Sequence, residues 1–140
     1  MTYLLDTNVI SEIRKAEPNA GVAGWFTATA SEQLYLSVLV VGEIRQGIER
    51  LRGRRDSEQA DRFEHWLDAL KANFGDRLLP VSIGVAERWG GLNAVRPLPV
   101  VDGLLAATAM EHDLTLVTRD TRGLRSTGVE LLDPWEEAAT

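Results

Sequence analysis

Apolar residues along this chain fall into short runs and helical stripes separated by polar breaks. Tyr3-Leu4-Leu5 is an apolar run that stops abruptly at Asp6-Thr7-Asn8, three residues able to cap a helix. A helix is expected from Val9 to Lys15, stopping before Pro18. A second is expected over Ala20 to Thr29, with Val22, Trp25 and Phe26 on one face. Leu34-Tyr35-Leu36 reads as a buried strand, and Ser37 opens a helix along which Val41, Ile44, Ile48 and Leu51 form one stripe. After the polar stretch Gly53 to Ser57, Phe63, Trp66, Leu67 and Leu70 mark a helix from about Gln59 to Asn73.

The second half repeats the alternation. Leu78 to Val81 predicts a short strand, Gly84 to Val95 a helix, and Pro97 with Pro99 a rigid loop. Val101, Leu104, Leu105, Thr108 and Ala109 follow helical spacing, Leu114 to Thr118 is a β-branched strand, and Val129 to Leu132 is a last strand after a turn at Arg119 to Gly123. The order β-α-α-β-α-α-β-α-α-β-β predicts an α/β fold: one domain over residues 1–140, with a mostly parallel central sheet of about five strands flanked by helices.

Composition narrows the function. The 140 residues are 44% apolar, enough for one core, and the 26% charged share excludes wholesale disorder. No apolar run approaches the ~20 residues of a membrane span. The opening Met-Thr-Tyr-Leu-Leu-Asp carries no basic lead, so no secretory signal is expected. The absence of cysteine excludes a disulfide scaffold, a thiolate zinc site and a cysteine nucleophile, and fits a reducing cytoplasm. With 15 basic and 21 acidic residues, the net charge of −6 means that nucleic acid can be bound only through a local patch. Such a patch is offered between Glu43 and Arg55, where five arginines (45, 50, 52, 54 and 55) face two glutamates. The choice there is between a solvated helix face and a phosphate-tracking edge.

In open parallel sheets the site lies beyond the carboxyl ends of the strands. Four acids map to that rim: Asp6 after the first strand, Glu43 in the second turn of the helix after the second, Asp102 in the first turn of the helix after the prolines, and Asp120 just past the fourth strand. Singly, each has a structural explanation as a cap, a dipole partner, an exposed ion pair or a turn former. Together they repel, by about 3 kcal/mol for two carboxylates ~5 Å apart. A divalent cation reverses that sign, and hard oxygen donors without Cys or His suit Mg²⁺ or Mn²⁺. The chemistry implied is hydrolytic phosphoryl transfer.

Leu4-Leu5-Asp6-Thr7-Asn8-Val9-Ile10 resembles the opening block of PIN-domain ribonucleases, and Glu43-Ile44-Arg45-Gln46-Gly47 their central acid on a helix. Asp102 to Ala109 and Leu116-Val117-Thr118-Arg119-Asp120 resemble the third and fourth blocks, and Asp133-Pro134-Trp135 a common ending. The nearest branch is that of the VapC and FitB-like toxins of bacterial toxin–antitoxin pairs. The resemblance implies a metal-dependent endoribonuclease leaving 5′-phosphate and 3′-hydroxyl ends, a cognate antitoxin, and often a homodimer. By position, Asp6, Glu43, Asp102 and Asp120 become the catalytic and metal-binding quartet, with Asn8 and Thr118 as polar support. Many relatives carry another acid past the fourth strand, where this chain has Arg122-Gly123, so Asp120 is the only acid of its block. Arg45, Arg50, Arg52 and Arg54 are the candidate RNA contacts.

Two rival classes stand beside the nuclease. One is a catalytically inactive PIN-like module acting through an antitoxin and DNA. The other, a phospho-acceptor receiver domain, is excluded because no Lys follows Lys71 and the third strand leads into Pro80-Val81-Ser82. His65 and His112 are expected in structural or surface roles rather than catalysis, and Gly90-Gly91 lacks the context of a phosphate loop.

Overall fold

A computed structural model describes residues 1–137. In chain order the elements are β1 (Tyr3–Leu5), α1 (Thr7–Arg14), α2 (Ala20–Ala28), β2 (Leu34–Ser37), α3 (Val38–Gly53), α4 (Ser57–Phe74), β3 (Leu78–Leu79), α5 (Ile83–Val95), α6 (Val100–Glu111), β4 (Thr115–Val117), α7 (Thr121–Leu124), β5 (Leu131–Leu132) and α8 (Pro134–Glu137). The five strands form one sheet in the order β3-β2-β1-β4-β5, and every neighbouring pair is parallel.

Strand-to-helix turns repeat one device. Asp6, Ser37, Ser82 and Asp120 each accept a hydrogen bond from a backbone N–H in the first turn of the helix that follows. Leu4, Leu5, Leu36, Leu116 and Val117 are wholly buried, as strands covered by helices on both faces must be. The α3 stripe faces inward through Ile44 and Ile48, and α4 answers it with Leu67 and Leu70.

Two details depart from the apolar pattern. The last β-β step contains α7 and a 3-10 turn at Arg125–Thr127 that closes on Gly128 at φ 82°, so β5 runs parallel to β4. The polar spacing there has no hydrophobic stripe because a single turn of helix needs none. The strands are also shorter than their apolar runs, with β3 reduced to Leu78–Leu79.

The chain leaves β1 toward β2 and β3, then crosses back to β4 on the other side of β1. The strand order therefore reverses at β1 and β4, the point beyond whose carboxyl ends open α/β sheets place their sites. Among the described residues no helix is long and apolar enough to cross a membrane.

Candidate active site

Asp6 is the first residue beyond β1, next to the end of β4. Only 8% of it is exposed, a low value for a carboxylate. Its backbone N–H donates to the Val117 carbonyl of β4 at 3.1 Å. Its Oδ1 accepts from the Val9 backbone N–H at 3.0 Å, and its Oδ2 from the Thr118 hydroxyl at 2.5 Å. Burial pushes the Asp6 carboxyl above its ordinary 3.8; the Thr118 and Val9 donors pull it back, and the charge of Asp102 pushes it further up.

Asp102 lies in the first turn of α6, half-buried. Burial raises its pKa, and so do the charges of Asp120 and Glu43. Asp102 is thus electrostatically linked to each of the other three acids. Behind it, Gly103 lets the α5 indole of Trp89 approach so closely that a Cβ at position 103 would stand 3.0 Å from the ring. The residue type at 103 therefore sets how α6, and with it Asp102, seats on α5.

Glu43, in the second turn of α3, accepts a 2.5 Å hydrogen bond from the hydroxyl of Thr7. In the sequence Thr7 is legible only as one of three possible caps; its position beside Asp6 is the signal that it faces the same rim. Asp120 is exposed, and its Oδ1 caps α7 by accepting from the Gly123 N–H at 3.3 Å. Its own N–H donates to Thr118 Oγ1 at 3.1 Å, so Thr118 connects the fourth acid to the first. The Asn8 side chain is exposed, and its contribution is a backbone N–H that favours ionised Asp6.

None of the four carboxylates forms a salt bridge among the described residues. Four mutually repelling acids without a counterion are a donor set of hard oxygens, chemically suited to a divalent cation. Among the described residues, no three His, Asp or Glu side chains are drawn together tightly enough to hold an ion as they stand.

The basic segment divides. Arg45 makes a bidentate contact with Glu64 of α4 at 2.7 and 2.5 Å, and Arg52 reaches Asp61 at 3.0 Å and Glu64 at 3.3 Å. The two guanidiniums hold the Glu64 carboxyl down to about 2. These two arginines clamp α3 to α4. Arg50 and Arg54 form no ion pair among the described residues, and Arg54 lines a cleft of about 270 Å³ that also includes Thr7, Glu43, Phe63 and Trp66. His65 and His112 are exposed, and Gly90-Gly91 lies inside α5, as the residue context implies.

A parallel α/β domain with an unpaired acidic rim at its topological switch point defines a class of site rather than one protein. The chain belongs to the PIN-domain family, whose sequence profile matches residues 3–130. It is 37% identical over 141 residues to the VapC ribonuclease Y4jK of Sinorhizobium fredii, covering 96% of this chain and 99% of the relative. To the toxin FitB of Neisseria gonorrhoeae it is 34% identical over 140 residues, covering 96% and 99%. The fold of the FitAcB complex from Neisseria gonorrhoeae matches with a TM-score of 0.85 at 32% identity, covering 96% of this chain and 99% of that one. The resemblance to VapC and FitB toxins drawn from the sequence blocks is thus borne out over nearly the whole chain.

Proposed function

We propose that this chain is a cytoplasmic, metal-dependent endoribonuclease toxin of a toxin–antitoxin pair. The observation that carries the reading is that Thr118 bonds both Asp6 and the backbone of Asp120, Thr7 beside Asp6 bonds Glu43, and none of these acids nor Asp102 forms a salt bridge among the described residues. The names of relatives add to it, including a VapC ribonuclease and the FitB toxin.

Asp6, Asp102, Glu43 and Asp120 would hold Mg²⁺ or Mn²⁺. Magnesium usually keeps several waters and needs only one or two carboxylates, which suits a rim that does not close on an ion by itself. When bound, such an ion supplies a more acidic water and offsets charge on the phosphate. The chain's own residues do the positioning. Thr118 and the Val9 N–H fix the two oxygens of Asp6, and Thr7 turns Glu43 toward the rim. The raised pKa of Asp6 and Asp102 keeps them responsive to any positive charge that enters.

The partner fits the same surface. Solved neighbours include toxin–antitoxin complexes such as FitAB. A cognate antitoxin segment with apolar side chains would fill the cleft beside Glu43, and its Arg or Lys would neutralise the acids. A homodimer would cover the exposed Val38, Val81, Ile83, Val95 and Val100, which include the last residue of α5 and the first of α6. Incubating the purified chain with total RNA in Mg²⁺, Mn²⁺ or EDTA tests the reading. Metal-dependent cuts with 5′-phosphate ends support it; intact RNA in every metal favours the non-catalytic, DNA-regulating alternative.

A further inference from the structure

Arg45 and Arg52 are committed to α4, and Arg54 lines the cleft beside Glu43; a second pair of arginines stands beside Asp120. Beyond β4 and β5 lies a cleft of about 370 Å³ bounded by Arg119, Asp120, Thr121, Arg122, Asp133, Trp135 and Glu136. It shares Asp120 with the rim, and Asp120 acts on Asp102. Neither Arg119 nor Arg122 forms a salt bridge among the described residues. The Arg119 guanidinium instead stands 5.2 Å from the centre of the Trp135 indole.

Trp135 lies in the first turn of α8, where the preceding Asp133 carboxylate accepts its backbone N–H at 2.9 Å. The indole packs partly against the core and lines the cleft. A guanidinium is planar and cationic and stacks on aromatic faces. In the free protein Arg119 occupies the place that a second planar group would take. An aromatic plane beside two arginines that form no salt bridge among the described residues matches a nucleotide with a stacked base and a flanking phosphate, even though Asp133 and Glu136 share the cleft.

Resting on the ribonuclease reading above, we propose that Trp135, Arg119 and Arg122 form a subsite for one unpaired nucleotide beside the scissile phosphate. The base stacks on Trp135 and displaces Arg119, while Arg119 and Arg122 take the phosphate. Only a single-stranded segment presents a base that can reach the indole. Stacking is tolerant of base identity, so this subsite supplies affinity and register more than sequence choice.

The test is binding of a mixed-sequence single-stranded RNA oligonucleotide to the full chain in EDTA, where cleavage is absent. Trp135→Leu keeps an apolar side chain but no π surface, and is expected to weaken binding about tenfold. Trp135→Phe restores an aromatic face and should recover most of that loss. Arg122→Ala, at an exposed position, is expected to lower the slope of log affinity against log salt by about one. An oligonucleotide with abasic sites should bind wild type and Trp135→Leu alike. Equal affinity and equal salt slope in wild type and the folded variants overturn the subsite and leave the cleft to an acidic segment of a protein partner. If Trp135→Leu fails to fold, Arg122→Ala decides together with the wild type, which must bind the abasic oligonucleotide more weakly than the intact one. Cleavage with Mn²⁺ is scored separately: binding as expected without cleavage overturns the nuclease reading alone, and cleavage with unchanged binding overturns the subsite alone.

Discussion

The Thr118 hydroxyl donates to Asp6 Oδ2 at 2.5 Å, joining two residues 112 positions apart in the chain. The bond ties together the ends of β1 and β4, the pair at which the sheet reverses its strand order. The same hydroxyl accepts the Asp120 N–H, so one threonine orients a buried acid and anchors the backbone of an exposed one. Removing it acts on the site and on the fold together.

Thr118→Val keeps the shape and removes both bonds. A hydrogen bond to a charged group is worth about 1.5–3 kcal/mol, so denaturant unfolding should show a loss toward that range. Because the bond favours ionised Asp6, its loss should raise the Asp6 pKa further, visible as an upward shift in its carboxyl NMR titration.

Stability without divalent cation should depend on pH through Asp6 and Asp102. Both have folded-state pKa values above their ordinary 3.8. Their stabilising contribution is therefore complete below 3.8 and is lost as pH rises through the raised values. Asp6→Asn should melt a few degrees above wild type near neutral pH, the shift expected of ~1 kcal/mol, and the gap should close on acidification. Glu64 works in the opposite sense: held near 2, it contributes above its ordinary 4.5 and fades only below that. Measurements kept above 4.5 separate the two. A gap that widens on acidification would contradict the assignment.

Gly103→Ala places a Cβ 3.0 Å from the Trp89 ring, and a rigid indole has little room to give. We expect a loss of roughly 1–3 kcal/mol from overpacking, together with weaker cleavage as Asp102 shifts. Gly90→Ala in α5, where nothing lies within 4 Å, should instead gain up to about 1 kcal/mol of helix propensity. Equilibrium unfolding of the pair reads the opposite signs directly.

The basic segment gives a paired prediction. Arg50 and Arg54 replaced together should lower the salt slope of RNA binding by about two if both meet phosphates. Arg45 and Arg52 replaced together should leave that slope alone and lower the melting temperature, since their partners are Glu64 and Asp61.

Much of this architecture was legible because helical stripes and capping residues coincide. Ser37 and Asp6 follow apolar runs and open helices, and both do so in the structure. The positions of the four acids were legible for the same reason: Asp6 and Asp120 follow strands, Asp102 lies in the first turn of α6, and Glu43 lies in the second turn of α3. What the sequence hid depends on pairs far apart in the chain. The Arg45–Glu64 clamp joins residues 19 positions apart on two helices, and a run of arginines alone does not reveal which are already paired. Thr7 bonding Glu43 and Arg119 resting on Trp135 are hidden likewise, because no local pattern marks a contact made only after the sheet assembles.

The central claim is that the acidic rim cuts RNA by holding a divalent cation. Its most direct test is thermal melting and RNA cleavage measured on the same samples of wild type and Asp102→Asn, with Mn²⁺ and with EDTA. The expected result is a Mn²⁺-dependent rise in the wild-type melting temperature together with cleavage, and neither in Asp102→Asn despite an intact fold. Cleavage by Asp102→Asn at the wild-type rate, or by wild type in EDTA, would contradict the account.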